Sequence, residues 1–428
     1  MTPSLDPKQL RKEFPALART QDGRPVVFFD GPGGTQVPRR VLESVTRHYL
    51  EMNTHIEGAF LASKHLEEMI CEARAIYADF FNTPTSGAHA FDEIAFSLNM
   101  TTHTYNISRS IGKTLGKQDE VIVTVLDHEA NVSPWMALEE TGAKVHVVDI
   151  DPADCTLNMA DFQSKLSKRT KVVAVGCASN AVGTVNDVMA ITEMAHAVGA
   201  IVYADAVHYA PHFPIDVQRW GVDFLACSTY KFFGPHGVGV LYGKKSILEG
   251  LHAYKVRPSV YQKFESGTQN FEGLSGAVAA IEYLAYVGEK FGKAFSSSLS
   301  SYTGRRLHLK TAMAAIIEYE RSIFERLIDG IERIPGVKIW GITDRARFDR
   351  RTPTLAFTLS GFSPREVAAH LGRQGIYVWD GDFYAQALIE RLGLLETGGV
   401  VRVGLTHYNT ADEIDRFLDA MRNVKKEG

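Results

Sequence analysis

Between about residues 90 and 245 the chain alternates short apolar runs with amphipathic stretches. HAFDEIAFSL leads into TYNISRSIGKTL, DEVIVTVL into SPWMALEETG, and KVHVVDI into NMADFQSKLS. TKVVAVGCAS then precedes VMAITEMAHAVG, and AIVYADA, VDFLACS and GVGVLYG close the series. Short apolar runs bounded by turn residues read as strands buried on both faces. Strand–helix–strand repetition demands crossover connections, and these build a mostly parallel sheet covered by helices on both sides. An α/β fold follows.

Beyond NFEGLSGAVAAIEYLAYVGEKFG the character changes. A helical stretch over roughly 305–332 is followed by VKIWG, TPTLAFTLSG, SPREVAAHLGRQG, IYVWDG and GVVRVGLTHYN, which read as a compact α+β lobe. TADEIDRFLDAMRNV opens with Thr410 and, three residues on, Glu413, the signature of a capping box. A chain of 428 residues is too long for one small core. The expectation is a large domain over 26–304 and a smaller C-terminal domain over 305–428, with residues 1–25 packing on the latter and a cleft between the two.

Several function classes recede. A formal charge of −4 over this length gives no footprint for nucleic acid or an anionic membrane. There is no HExxH and no His/Cys ladder, so no metal site is expected. Cys71, Cys155, Cys177 and Cys227 lie far apart, which fits reduced thiols rather than a disulfide framework. The first twenty residues lack the apolar core of a signal peptide, and no stretch reaches membrane-spanning length. A cytoplasmic protein is expected. SIGKT (110–114) ends like a P-loop but has Ile107 where the pattern needs glycine. DGPGGT (30–35) departs from GxGxxG and reads as a tight turn. No GxSxG elbow occurs.

One lysine stands apart. In ACSTYKFFGPHGVGVLYGKK (226–245), Lys231 lies between two strand-like runs. A lysine held there sits in a cleft, where desolvation favours the neutral, nucleophilic amine. Ligands of a parallel sheet sit beyond the carboxyl ends of its strands. Asp205, His208, Asn180, His128 and Ser228 all fall at such ends, as does Lys231. Singly, each has a structural explanation: a cap, a turn, a satisfied core histidine. Six together suggest a site. A carbonyl-trapping lysine, an acid and a phosphate cradle are what pyridoxal phosphate requires. Thr101 and Thr102, in NMTTHTYN at the start of a helix, supply hydroxyls where backbone N–H groups favour a phosphate.

The motifs TTHTYN, DHEANVSPW, SNAVGT, ADAVH, STYK and VRVGLTHYNT, in this order and spacing, resemble the class V aminotransferase family of fold-type I pyridoxal-phosphate enzymes. Within it they are most similar to the cysteine desulfurase and selenocysteine lyase branch. The resemblance runs from FFDGPGGTQVP to HYNTADEIDRF. It implies a mostly parallel sheet of the seven-stranded type with a smaller α+β C-terminal domain. It also implies Lys231 as the Schiff-base lysine, Asp205 as partner of the pyridine nitrogen, His128 stacked on the ring and Asn180 near its phenolic oxygen. Thr102, Ser228 and Thr101 match phosphate ligands; His208 and Tyr230 match cofactor-contacting positions. Thr268, in FESGTQN, matches a segment that reaches a neighbouring subunit, which implies a homodimer with shared sites. Arg402 matches the arginine that grips the substrate carboxylate.

The chain departs from that pattern in the stretch VWDGDFYAQAL (378–388). Desulfurases of the branch carry a sulfur-accepting cysteine there; here Tyr384 stands at about that position. Trp379 replaces a second carboxylate-binding arginine, while Asp380 and Asp382 read as turn residues rather than a grip for a cationic tail. These features imply an enzyme acting on a small amino acid. Lys231 would move the Cα proton, and Tyr384 or His103 would be the candidate proton donor in elimination of a β-substituent. Transamination is the second expectation, racemisation the third, and a non-catalytic homologue that keeps the cofactor site the last.

Overall fold

The computed structural model describes residues 5–85, 87–256 and 262–425. Seven strands form the main sheet: β1 (Ile94–Ser97), β2 (Glu120–Thr124), β3 (Lys144–Val148), β4 (Thr170–Gly176), β5 (Ile201–Asp205), β6 (Phe224–Ser228) and β7 (Gly239–Gly243). Their spatial order is β1-β7-β6-β5-β4-β2-β3. The neighbours from β3 to β6 pair in parallel, and β7 runs antiparallel to both β6 and β1. The fold-type I sheet implied by the sequence is therefore present, mostly parallel with one reversed strand.

The unbroken apolar runs follow from burial on both faces. Val173, Val175, Val202, Ala204 and Leu225 pack into one core. Their neighbours Val172, Ala174, Tyr203, Phe224 and Ala226 pack into another on the opposite side. Alternate residues of a strand point to opposite faces, so a strand between two cores must be apolar at every position. Crossover helices cover the faces, among them Met100–Gly112 and Val188–Ala197, each started by a side-chain cap from Asn99 or Asp187. SPWMALEETG forms only one α-helical turn, Ser133–Met136, which tightens into a 3-10 segment, Ala137–Thr141. Gly142, at φ 89°, ends it in a conformation suited to glycine.

A long helix, Gly304–Ile331, leads to a second sheet. Its strands β8 (Val337–Trp340), β9 (Thr354–Leu359), β10 (Trp379–Gly381) and β11 (Val400–Gly404) lie in the order β8-β9-β11-β10, all antiparallel. The closing helix, Ala411–Arg422, carries the expected capping box between Thr410 and Glu413. Chain ends far apart in sequence meet here. Val27–Phe28 runs parallel to Ile376–Tyr377, Arg11 pairs with Glu413 at 2.9 Å, and the Gly404 N–H donates to Phe29 O at 2.8 Å. A Cβ at Gly404 would fall 1.9 Å from Pro32 Cδ, so glycine there is what lets the turn at residues 31–33 lie against β11.

Arg74 and Glu265 form an interior ion pair. Arg74 Nη2 donates to both oxygens of Glu265 at 2.8 and 2.9 Å, and Glu265 also accepts the N–H groups of Phe96 and Gln262. Cys155, Cys177 and Cys227 are buried thiols and Cys71 is exposed. Among the described residues no helix is long and apolar enough to cross a membrane, and no side-chain cluster is suited to a metal ion.

Candidate active site

Strands β4, β5 and β6 end side by side, with Asp205 in register with Gly176 and Ala226. The 3-10 turn Thr229–Lys231 follows β6 directly. A cavity opens beyond this edge and widens into a cleft of about 540 Å³. Lys231, His128, Asn180, Thr101 and Tyr230 line both parts. Asp205, His208 and Ser228 line the inner part, Arg402 and Tyr384 the outer.

Lys231 Nζ donates to the Pro32 carbonyl and lies 4.9 Å from the Tyr230 ring. Burial pushes its ammonium down to about 7, with the Arg402 charge acting the same way and Asp205 opposing it. At neutral pH a large share of this amine is therefore uncharged. Asp205 is 8% exposed, and its Oδ1 accepts the Val207 N–H at 2.8 Å. Burial raises its carboxyl to about 6, against the lowering effects of the Val207 N–H and Lys231. His128 Nδ1 accepts the Ala130 N–H at 2.9 Å, and burial, with Lys231 and Arg402, lowers the ring to about 4. The imidazole is neutral, a flat face inside the cavity. His208 Nε2 meets the hydroxyls of Thr352 and Thr354 at 3.1 and 2.9 Å, and burial holds it well below the usual histidine range.

Arg402, at the centre of β11, is 3% exposed. Its Nη1 donates to Asn180 O at 2.9 Å, and its guanidinium lies 3.9 Å from the Phe383 ring centroid. Its Nε and the Oδ1 of Asn180 are buried with no partner in the protein. Buried polar groups normally find partners, so both await a ligand. Tyr384 is 71% exposed; its ring tilts over His128 at 5.5 Å, and its carbonyl accepts the Glu129 N–H at 2.7 Å.

The start of helix Met100–Gly112 faces the cavity through Thr101. Ser228 Oγ accepts the Met100 N–H at 2.9 Å, which ties that helix to the end of β6. Thr102 turns aside: its N–H and hydroxyl both donate to Asn99 Oδ1, and it lines neither part of the cleft. His103 is also elsewhere. It is fully buried, with Nε2 3.3 Å from Gly239 O on β7, so a direct proton transfer from it to a substrate in the cleft has no path. Thr268 is exposed outside the cleft of its own chain, 3.4 Å from His55 Nε2. Asp380, on β10, pairs with Arg365 of helix Pro364–Arg373 at 3.4 Å, and Asp382 Oδ1 accepts the Tyr384 N–H at 2.9 Å within the turn.

Three contributors escaped the sequence reading. Pro32, in the turn DGPGGT, supplies the carbonyl that meets Lys231. Asp30, just before it, has a buried unpartnered Oδ1 and a carboxyl raised by burial to about 6, with Arg402 lowering it. Asp127 lines the inner cavity; its Oδ1 accepts the Gly176 N–H at 2.6 Å while its Oδ2 has no partner. Burial first and the Asp205 charge second drive its carboxyl well above the usual range, which favours the protonated acid.

This donor set fits pyridoxal phosphate. It combines an amine near neutrality, a carboxylate at a strand end, a flat neutral imidazole, a hydroxyl at a helix start and two unpartnered buried groups.

Comparison with known proteins agrees with the geometry. The family model described as Aminotransferase class-V matches residues 27–310 and 304–417. A probable cysteine desulfurase of Mycolicibacterium paratuberculosis is 32% identical over 99% of this chain, which spans 59% of that relative's length. A cysteine desulfurase of Synechococcus elongatus is 31% identical over 98% of the chain and 64% of its own length. The apo structure of a cysteine desulfurase from Thermococcus onnurineus superposes with a TM-score of 0.82 at 25% identity, covering 97% of each chain.

Proposed function

The chain belongs to the aminotransferase class-V family, whose members are pyridoxal-phosphate enzymes, and on that premise we propose that it eliminates a β-substituent from an amino acid, a C–S lyase related to the desulfurases but working without a persulfide cysteine. The observation that carries this reading is the convergence of Lys231, Asp205 and Arg402 on one cleft that contains no cysteine.

Lys231, Asp205, His128, Asn180, His208, Tyr230, Ser228 and Thr101 are the residues that would hold the cofactor, with Thr268 reaching the matching site of a second subunit. Bound there, pyridoxal phosphate withdraws electrons from the substrate's Cα. Arg402 receives the substrate carboxylate in a planar fork, its Nε being free to donate. Lys231, with a substantial uncharged fraction at neutral pH, takes the Cα proton; a base with a pKa near the working pH is the efficient choice. Asp205 lies on the opposite side of the cavity from solvent and, once ionised, supplies the fixed negative charge. Tyr384, on the open side, can return a proton to the departing group. The segment 378–388 has no thiol to receive sulfur, so the leaving group departs whole.

A panel of amino acids, assayed in parallel for sulfide or thiol, pyruvate, the corresponding oxo acid and inverted substrate, tests this. Thiol and pyruvate released in equal amounts support elimination. Accumulating oxo acid that retains the β-substituent, or inversion alone, replaces it with transamination or racemisation.

A further inference from the structure

The mouth of the cleft is rich in aromatic rings. Trp379, Phe383, Tyr384, Tyr105 and Tyr230 line it. Trp379 and Tyr384 are 49% and 71% exposed, a cluster of large apolar surface that points to an occupant. At Gly33, a Cβ would fall 2.4 Å from the Trp379 Nε1, so the indole lies close against bare backbone.

The wall is fixed in place. Phe383 and Tyr384 both hold left-handed backbone, φ 59° and 58°, a conformation that non-glycine residues keep only when the surroundings impose it. The surroundings do so. Asn180 Nδ2 donates to Phe383 O at 2.9 Å, Tyr384 O accepts the Glu129 N–H, and the Tyr384 and Ala385 N–H groups both bond to Asp382. Phe383 is further stacked on Arg402. Aromatic surfaces also attract cations, and Asp380, Asp382 and Glu129 border this wall in local hydrogen bonds to Arg365, the turn and the Ser133 hydroxyl, so a cationic substituent is the rival occupant.

We infer that this wall selects an amino acid whose β-substituent ends in a planar apolar group, an aryl or benzyl thioether of cysteine being the simplest form. The inference rests on the elimination reading above and gives it a substrate class. The balanced reaction breaks the Cα–H and Cβ–S bonds. The sulfur leaves with the bonding pair and gains a proton as the free thiol, and water converts the three-carbon remainder to pyruvate and ammonium, with no net oxidation.

S-benzyl-L-cysteine, S-methyl-L-cysteine, L-cysteine and a cysteine thioether ending in a trimethylammonium group are compared on the holoenzyme by thiol and pyruvate release. Binding of the same four to the Lys231→Ala protein is measured by calorimetry. The benzyl compound is expected to exceed the methyl compound at least tenfold in both kcat/KM and affinity. Trp379→Ala, at an exposed position, should erase that preference through KM while leaving the methyl compound unaffected. Tighter binding of the benzyl compound without turnover upholds the wall and refutes elimination. Turnover with no benzyl preference, or with the cationic thioether preferred, overturns the wall and leaves elimination standing.

Discussion

Trp379 stands directly opposite Arg402 across the antiparallel pair of β10 and β11. Residues so paired project from one face of a sheet, so indole and guanidinium enter the cleft together. The guanidinium is the deeper of the two and is the part of the pair suited to an α-carboxylate. Arg402→Lys should raise KM for any amino-acid substrate by about 10- to 100-fold, the loss of roughly 1.5–3 kcal/mol from a charged hydrogen-bond pair. Because the indole is untouched, the ranking of substrates by side chain should persist. Steady-state kinetics on two substrates of different bulk decides it.

Lys231 destabilises the cofactor-free fold. Burial lowers its ammonium to about 7 in the folded chain against 10.5 for an ordinary lysine, so between those values the unfolded state binds the extra proton. Replacing it with methionine should raise the melting temperature of cofactor-free protein by several degrees at pH 7. The gain should be largest at and below that pH and fade as pH approaches 10. The same variant should show no visible absorption band with pyridoxal phosphate and at least a 10²-fold loss of activity.

Two carboxyls face the inner cavity in different states. With Asp205 at about 6 and Lys231 at about 7, both groups gain their working form as pH rises, so kcat/KM should climb through pH 6–7. Burial holds the Asp127 carboxyl well above its ordinary range, towards the protonated form. Asp127→Asn should therefore leave that limb in place, whereas Asp205→Asn should lower the plateau itself. Asp127→Leu removes the acceptor of the Gly176 N–H and should cost about 1–3 kcal/mol of stability. pH–rate profiles and denaturant melts of the three variants check these outcomes.

Glu265 is fully buried against Arg74 and anchors the segment that leads to Thr268. Glu265→Ala leaves a guanidinium alone in the interior and should cost roughly 3–5 kcal/mol, measured by urea unfolding.

The strand edge was legible because parallel strands announce themselves as continuous apolar runs; Asp205 ends one of them and Lys231 lies three residues past the end of another. Helix phase was less so. Thr101 faces the cavity, but His103, about 200° further round the helix, faces β7 instead. Asp30 and the Pro32 carbonyl were hidden for another reason. DGPGGT reads locally as a turn, and only its pairing with β11, more than 370 residues downstream, swings it over Lys231. Asp127 lay next to a histidine already singled out, and nothing in the sequence distinguishes a protonated carboxyl from an ionised one.

That pairing has a consequence during biosynthesis. Asp30 bridges to Gly404, and Arg402 belongs to the same strand. A chain still emerging from the ribosome therefore has its lysine long before it has the roof above it. The reactive amine gains its low-proton-affinity surroundings only after nearly all of the polypeptide has been released, so truncated products should remain chemically inert towards amino acids.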